Sequence, residues 1–167
     1  MKRGNKIALI TGLSIGLVIV SSFVFIKSTK IFAKENIIVS SDRSLELANN
    51  LRASKHLNNL TWNDDLAKAA EAKANDMFAK NYFDHTAPDG AKAWSFILNA
   101  NYSYRFAGEN LAVEFDNVDD AFVAWENSPT HLENLLSDKF SDYALVEKEG
   151  SLNGENVKVF VQLFGTK

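Results

Sequence analysis

The sequence of 167 residues contains no cysteine. This absence excludes a disulfide framework, a lipidated cysteine anchor and any metal site built from thiolates. It also excludes a cysteine nucleophile. The stability of any folded domain must therefore come from packing alone.

Several catalytic signatures are absent as well. The chain has three histidines, and His131-Leu132-Glu133 lacks the second histidine of a His-Glu-x-x-His zinc helix. No Gly-x-Ser-x-Gly elbow surrounds Ser128, and no glycine loop suited to phosphate is present. The sequence therefore does not indicate a particular reaction. We assign no chemical role to His56, because its neighbours Lys55 and Asn58 suggest a solvent-exposed turn.

Charge is missing from residues 7–26. Twenty residues at a rise of 1.5 Å span about 30 Å, the thickness of a bilayer's hydrocarbon core. The stretch predicts an uncleaved signal anchor, with a short cytoplasmic tail at residues 1–6 and a linker at residues 27–41. A cleaved signal peptide is the alternative, although Ile31-Phe32-Ala33 fits a cleavage site poorly.

Acidic residues are absent up to Ala33, whereas five basic residues precede it. The remainder has 18 − 5 = 13 basic and 21 acidic residues, a formal charge of −8. Such a domain repels phosphate backbones, and no basic patch with interleaved aromatic residues is present. These features disfavour a nucleic-acid partner.

Hydrophobic periodicity predicts three main helices in one domain at residues 42–167. The first runs over 42–54 with Asp42 as its cap, the second follows a cap at Asn63, and the third runs from Val118 and ends at Pro129. Trp94 to Leu98 predict a further short helix. Pro88-Asp89-Gly90 suits a β-turn, which places His85 in a loop.

Residues 141–148 and 157–164 are rich in β-branched and aromatic residues, and Gly150 to Gly154 can form the loop of an antiparallel hairpin between them. Tyr102 to Phe106 predict a brief extended segment leading into Gly108-Glu109. Both faces of the last strand carry apolar groups, so we expect helices on both sides of the sheet. The predicted fold is an α+β fold arranged as an α/β/α sandwich.

Three segments in order carry a resemblance to a known family. They are a loop histidine before a turn in His85-Thr86-Ala87-Pro88-Asp89-Gly90, the element Gly108-Glu109-Asn110-Leu111, and Ser128-Pro129-Thr130-His131 after a tryptophan. Together they resemble the CAP superfamily, also called SCP or PR-1-like, and the chain is similar to its short bacterial branch. The resemblance implies an α/β/α sandwich located outside the cytoplasm.

The resemblance also implies a cleft lined by two histidines and two carboxylates. By motif, the histidines correspond to His85 and His131, and the first carboxylate corresponds to Glu109. Family members that have the second carboxylate place it three residues after the tryptophan, where this chain has Ser128. Ser128 is therefore a cleft residue. Glu126, one residue after the tryptophan, is a weaker fourth ligand candidate. Successive residues of a helix are 100° apart, which places Glu126 on a different side from Ser128 and toward water.

Two neutral imidazoles and one carboxylate can hold zinc or another divalent ion with one position open. The same groups can equally well hydrogen-bond to one another with no metal. Three hypotheses follow. The first is a non-enzymatic domain that binds a metal, a lipid-like molecule or a cell-envelope component. The second is a metal-assisted hydrolase of peptide or cell-wall bonds with Glu109 as general base, and the third is an inert structural or adhesion module. In each case the membrane is a partner through residues 7–26.

Overall fold

The computed structural model describes residues 41–167. The predicted tail at 1–6, the membrane helix at 7–26 and all of the linker except residue 41 lie outside the described residues. Within residues 41–167, no helix is both long enough and apolar enough to cross a membrane. The membrane anchor and the domain boundaries therefore stay predictions.

The described range forms five helices and four strands. The helices are α1 (41–54), α2 (Asp64–Lys80), α3 (Ala93–Asn99), α4 (Val118–Glu126) and α5 (Pro129–Leu136). The strands are β1 (Thr61–Trp62), β2 (Phe106–Val113), β3 (Asp142–Leu152) and β4 (Glu155–Thr166).

The strands make one four-stranded sheet in the order β1-β3-β4-β2. β1 runs parallel to β3, whereas β3, β4 and β2 are antiparallel neighbours. The predicted hairpin is present, but its loop is shorter than expected, because residues 150–152 belong to β3. Asn153 and Gly154 make the turn with φ of 54° and 85°, a pair of positive angles that matches the twist of a hairpin.

Helices cover both faces of the sheet, and the α+β prediction is confirmed. One cluster packs α2 and α3 against side chains that include Val159, Val161 and Leu163. The other packs α1, α4 and α5 against the opposite face, which includes Phe160 and Phe164. The alternation in β4 thus divides the core into two apolar layers.

The helix starts were predicted with mixed success. Asn63 caps α2 as expected, since its side chain accepts hydrogen bonds from the amides of Asp65 and Leu66. The Asp42 cap was wrong, because residues 41 and 42 already lie in α1.

Two other expectations need correction. Gly108-Glu109-Asn110-Leu111 lies inside strand β2, whereas the sequence predicted an extended segment only up to Phe106. Pro129 follows the end of α4 but also begins α5, a helix that was not predicted. A proline suits the first turn of a helix, because the amide it lacks has no intrahelical partner there.

Candidate functional site

His85 lies in the loop between α2 and α3, as predicted. The amide of Gly90 donates to the carbonyl of Ala87 over 2.8 Å, which closes the turn around Pro88 and Asp89. Gly90 has φ of +87°, a conformation that favours glycine. The side chain of His85 is 60% exposed, and the residue lines a cleft.

Glu109 comes from β2 and meets His85 in space. Its carboxylate is only 3% exposed, and Oε1 lies 2.7 Å from Nδ1 of His85. This hydrogen bond raises the pKa of His85, against the opposing effect of desolvation. Glu109 Oε2 is buried and has no hydrogen-bond partner among the described residues.

His131 lies on the first turn of α5, next to Ser128 at the helix start. Its Nδ1 is 2.8 Å from Oγ of Ser128. Burial lowers the pKa of His131, and the nearby charge of His85 acts in the same direction. We infer that His131 is a neutral imidazole near pH 7.

Asparagine side chains hold α5 against β2. Asn110 Nδ2 donates to the carbonyl of His131 over 3.1 Å, and Asn134 Nδ2 donates to the carbonyl of Glu109 over 3.1 Å. The backbones that carry Glu109 and His131 are therefore each held by a direct hydrogen bond from the opposite element.

The cleft has a volume of about 440 Å³ and a mixed lining. Its polar wall includes His85, Glu109 and Asn134, and Trp94 contributes an aromatic surface that is half-buried. The remaining lining residues are Thr86, Lys92, Ala93, Ala107 and Gly108.

The other predicted site residues lie around this cleft without lining it. His131 and Ser128 contact each other and are absent from the lining. Glu126 is half-buried at the end of α4 and does not line the cleft either. The structure therefore brings His85 and Glu109 together directly and connects His131 to them through α5.

The residues fit a metal ion only in part. Among residues 41–167, no group of three or more His, Asp or Glu side chains is arranged to hold a metal ion. His85 Nδ1 and Glu109 Oε1 already bind each other, so a cation held by both residues and by His131 would require side chains to move. The zinc site therefore stays a prediction, and we derive no chemical step through it.

Sequence reasoning missed three residues that shape the site: Lys73, Asn110 and Asn134. Lys73 had a detectable signal, because it stands seven residues after Leu66 on the apolar stripe of α2. Asn110 lay inside a quoted motif but received no role. Asn134 gave no signal, since an asparagine in a polar turn of helix is usually a surface residue.

Comparison with known proteins identifies the family. The family model described as CAP, the cysteine-rich secretory protein family, matches residues 45–164, and the chain belongs to this family. The Bacillus subtilis (strain 168) protein YkwD is 32% identical over 114 residues, which are 68% of this chain and 44% of YkwD.

Two solved bacterial structures are similar to this chain. An extracellular protein with an SCP domain from Bacillus anthracis str. Ames has a TM-score of 0.66 and 26% identity, covering 78% of this chain and 41% of that one. An outer surface protein from Borrelia burgdorferi has a TM-score of 0.61 and 27% identity, covering 72% of this chain and 86% of that one. The chain thus spans less than half the length of YkwD and of the anthracis protein.

Proposed function

We propose that this CAP domain works outside the cytoplasm as a non-enzymatic binding module, and that the cleft beside His85 and Glu109 receives its ligand. The location is supported by the two bacterial relatives of similar fold, one an extracellular protein and the other an outer surface protein. Residues 7–26 would then attach the domain to the membrane.

The observation that carries the proposal is the buried Oε2 of Glu109. A buried carboxylate oxygen without a hydrogen-bond donor costs about 1–3 kcal/mol, and more when the group is charged. Glu109 lines the cleft, so a small rotation of its side chain would present this oxygen to a ligand that brings its own donor. A hydroxyl, amine or amide group meets this need.

The rest of the lining fits an amphipathic ligand. Trp94 offers an apolar ring, while Asn134 and Lys92 add polar groups on other parts of the wall. A lipid-like molecule with a polar head, or a component of the cell envelope, combines both features. The polar head would contact Glu109, and the apolar part would contact Trp94.

A divalent cation is the second ligand that a specific observation favours. Both histidines have Nδ1 engaged, His85 with Glu109 and His131 with Ser128. An imidazole fixed in this way leaves Nε2 as the nitrogen available to a metal. Zinc would therefore be held by His85 and His131, with Glu109 supplying negative charge.

The test is a set of titrations with the purified chain of 167 residues. Zinc chloride, oleic acid and a muramyl peptide are added separately, and binding is measured by calorimetry. Glu109→Gln should weaken binding of an organic ligand, whereas His85→Gln and His131→Gln should each weaken zinc binding. His56→Gln is the matched control, because His56 lies just after α1 and outside the cleft lining.

Equal binding by wild type and the variants at Glu109, His85 and His131 would overturn the proposal. The same samples also test the other hypotheses. Cleavage of the muramyl peptide that needs zinc and Glu109 would favour the hydrolase. Failure of all three ligands to bind would favour an inert module.

A further inference from the structure

Lys73 is a buried cation that contacts the backbone of His85, a residue of the proposed ligand site. The residue has no exposed surface, although it lies in the middle of α2. Its neighbours on the same face are Ala69, Ala70 and Met77, which pack into the core. Lysine is almost never fully buried unless its charge has partners, so this position calls for an explanation.

The ammonium of Lys73 uses all of its donors on the segment that leads to His85. Nζ lies 2.8 Å from the carbonyl of Asp84, 3.2 Å from the carbonyl of His85 and 3.1 Å from Oη of Tyr82. An ammonium group has three N–H donors, and these contacts account for all of them. Nζ also lies 4.8 Å from the centre of the Tyr82 ring.

Tyr82 extends this contact into a chain of hydrogen bonds along α2. Its hydroxyl donates to Oδ2 of Asp76 over 2.7 Å, and Asp76 Oδ1 lies 2.7 Å from Nζ of Lys80. Lys80 then contacts Asp89 in the turn of the same loop. The loop is thereby fixed to α2 at two points, before the turn by Lys73 and within the turn by Lys80.

The charges around Lys73 come from several elements. Burial is the largest effect and lowers the pKa of Lys73. Glu109 on β2, Asp76 on α2 and Asp84 in the loop favour its charged form, whereas Lys80 opposes it. The acidic groups include the same carboxylate that binds His85.

We propose that Lys73 is a positioning residue of the cleft, which holds the backbone of Asp84 and His85 so that the His85 imidazole meets Glu109. This inference rests on the proposed function, because it concerns the site to which that function is assigned. Lys73 touches no ligand in this view. It acts through His85.

The experiment reads the His85–Glu109 hydrogen bond in the free protein. Histidine signals of the full chain, kept free of metal with EDTA, are followed by NMR as a function of pH in wild type, Lys73→Met and Lys73→Gln. The pKa of His85 depends on Glu109 and Asp84, which raise it, and on desolvation and Lys73, which lower it. If Lys73 positions His85, the variants separate the imidazole from Glu109, and the pKa falls toward the ordinary value of about 6.5.

The direction of the change distinguishes positioning from charge alone. If Lys73 acted only through its positive charge, removing it would raise the pKa of His85 further. A rise, or no change, in a variant that still unfolds cooperatively would overturn the proposal. If neither variant folds, Lys73 is a folding residue, and the proposal is likewise overturned.

Tyr82→Phe is the matched control. It removes one partner of Lys73 but keeps the bonds to the carbonyls of Asp84 and His85, so the pKa of His85 should stay raised. Because no ligand is added, this readout is independent of the titrations above. If the pKa of His85 falls as expected but no ligand binds, only the proposed function is refuted. If a ligand binds but the pKa of His85 does not fall, only the role of Lys73 is refuted.

Discussion

Asn134 donates from Nδ2 to Oδ1 of Asn110 over 2.8 Å, and this bond joins the helix that carries His131 to the strand that carries Glu109. Asn110 is completely buried, and its own Nδ2 lies 2.8 Å from Oε1 of Gln162 on the neighbouring strand. Gln162 in turn donates to the hydroxyl of Tyr143 over 2.9 Å. A polar network therefore crosses the core behind the cleft.

Asn110→Ala should destabilise the domain by about 1–3 kcal/mol, because it leaves the buried Gln162 Oε1 without a partner and removes one hydrogen bond each from the carbonyl of His131 and the amide of Asn134. Chemical denaturation monitored by circular dichroism measures the loss. Asn127→Ala is the control, since Asn127 bonds the carbonyl of Val123 at an exposed helix end and should change stability by less than about 0.5 kcal/mol. Similar losses in the two variants would show that the buried network stabilises the domain no more than a surface bond does.

Arg52 gives a second prediction. This arginine is 1% exposed, and its guanidinium donates to the carbonyls of Asn58, Leu135 and Ser137 over 2.7 to 2.9 Å. Two of these carbonyls lie at the end of α5, where helical carbonyls lack internal partners. Arg52→Met should therefore cost about 3 kcal/mol, since three carbonyls, of which that of Leu135 is in a buried contact, lose a charged donor.

Arg43→Met is the matched control for Arg52→Met. Arg43 is 41% exposed and pairs with Asp119 and Glu46 at the surface. Exposed ion pairs contribute little, so the loss should be clearly smaller. The free energy of unfolding of both variants is measured by thermal and chemical denaturation. Equal losses of stability would mean that the α5 carbonyls find other donors when Arg52 is replaced.

The layered fold could be predicted because its signal is local. The alternation of Val159 and Val161 with Phe160 assigns two faces to β4, and both faces are covered as expected. The cap at Asn63 and the turn after His85 also depend on residues close in sequence. Backbone preference and polarity are sufficient in such cases.

β2 could not be predicted because its polar residues are satisfied by distant partners. Glu109 bonds a histidine 24 residues away, and Asn110 bonds a glutamine 52 residues away. Without those contacts, a stretch with Gly108, Glu109 and Asn110 has low strand preference. Lys73 was missed for a related reason, since its main partners are backbone carbonyls, which every sequence contains.

His85 and His131 should contribute to the pH dependence of stability with opposite signs. The pKa of His85 is raised, so its pairing with Glu109 contributes stability that is fully present below about pH 6.5 and is lost as pH rises through the folded-state pKa. The pKa of His131 is lowered, so its contribution is present above about pH 6.5 and is lost as pH falls through the folded-state pKa.

NMR titration of the histidine signals checks this prediction directly, with His85→Gln and His131→Gln used for assignment. The curve of His85 should have its midpoint above the ordinary value of about 6.5, and that of His131 should have its midpoint below it. Because His85 is 60% exposed, solvent screening should limit its contribution to stability to under about 1 kcal/mol. Midpoints in the reverse order would contradict the geometry of both pairs.

Gly108 leads to the last prediction, because the motif glycine stands where no side chain fits. A Cβ atom at this position would lie 2.8 Å from Cζ of Phe140 and 2.9 Å from Oδ1 of Asn134. Gly108→Ala should destabilise the domain by about 1–3 kcal/mol through overpacking. It should also displace Asn134, which holds the carbonyl of Glu109 and the side chain of Asn110.

A double-mutant cycle separates the ring contact from other effects of Gly108→Ala. Phe140→Leu removes the ring atoms nearest to the new methyl group, so the double variant should lose less stability than the sum of the two single losses. NMR shifts of His85 and His131 should move in Gly108→Ala, and Phe140→Leu should partly restore them. Strictly additive losses with unchanged histidine shifts would mean that the strand moves aside as a whole, so that the glycine protects neither Asn134 nor the cleft.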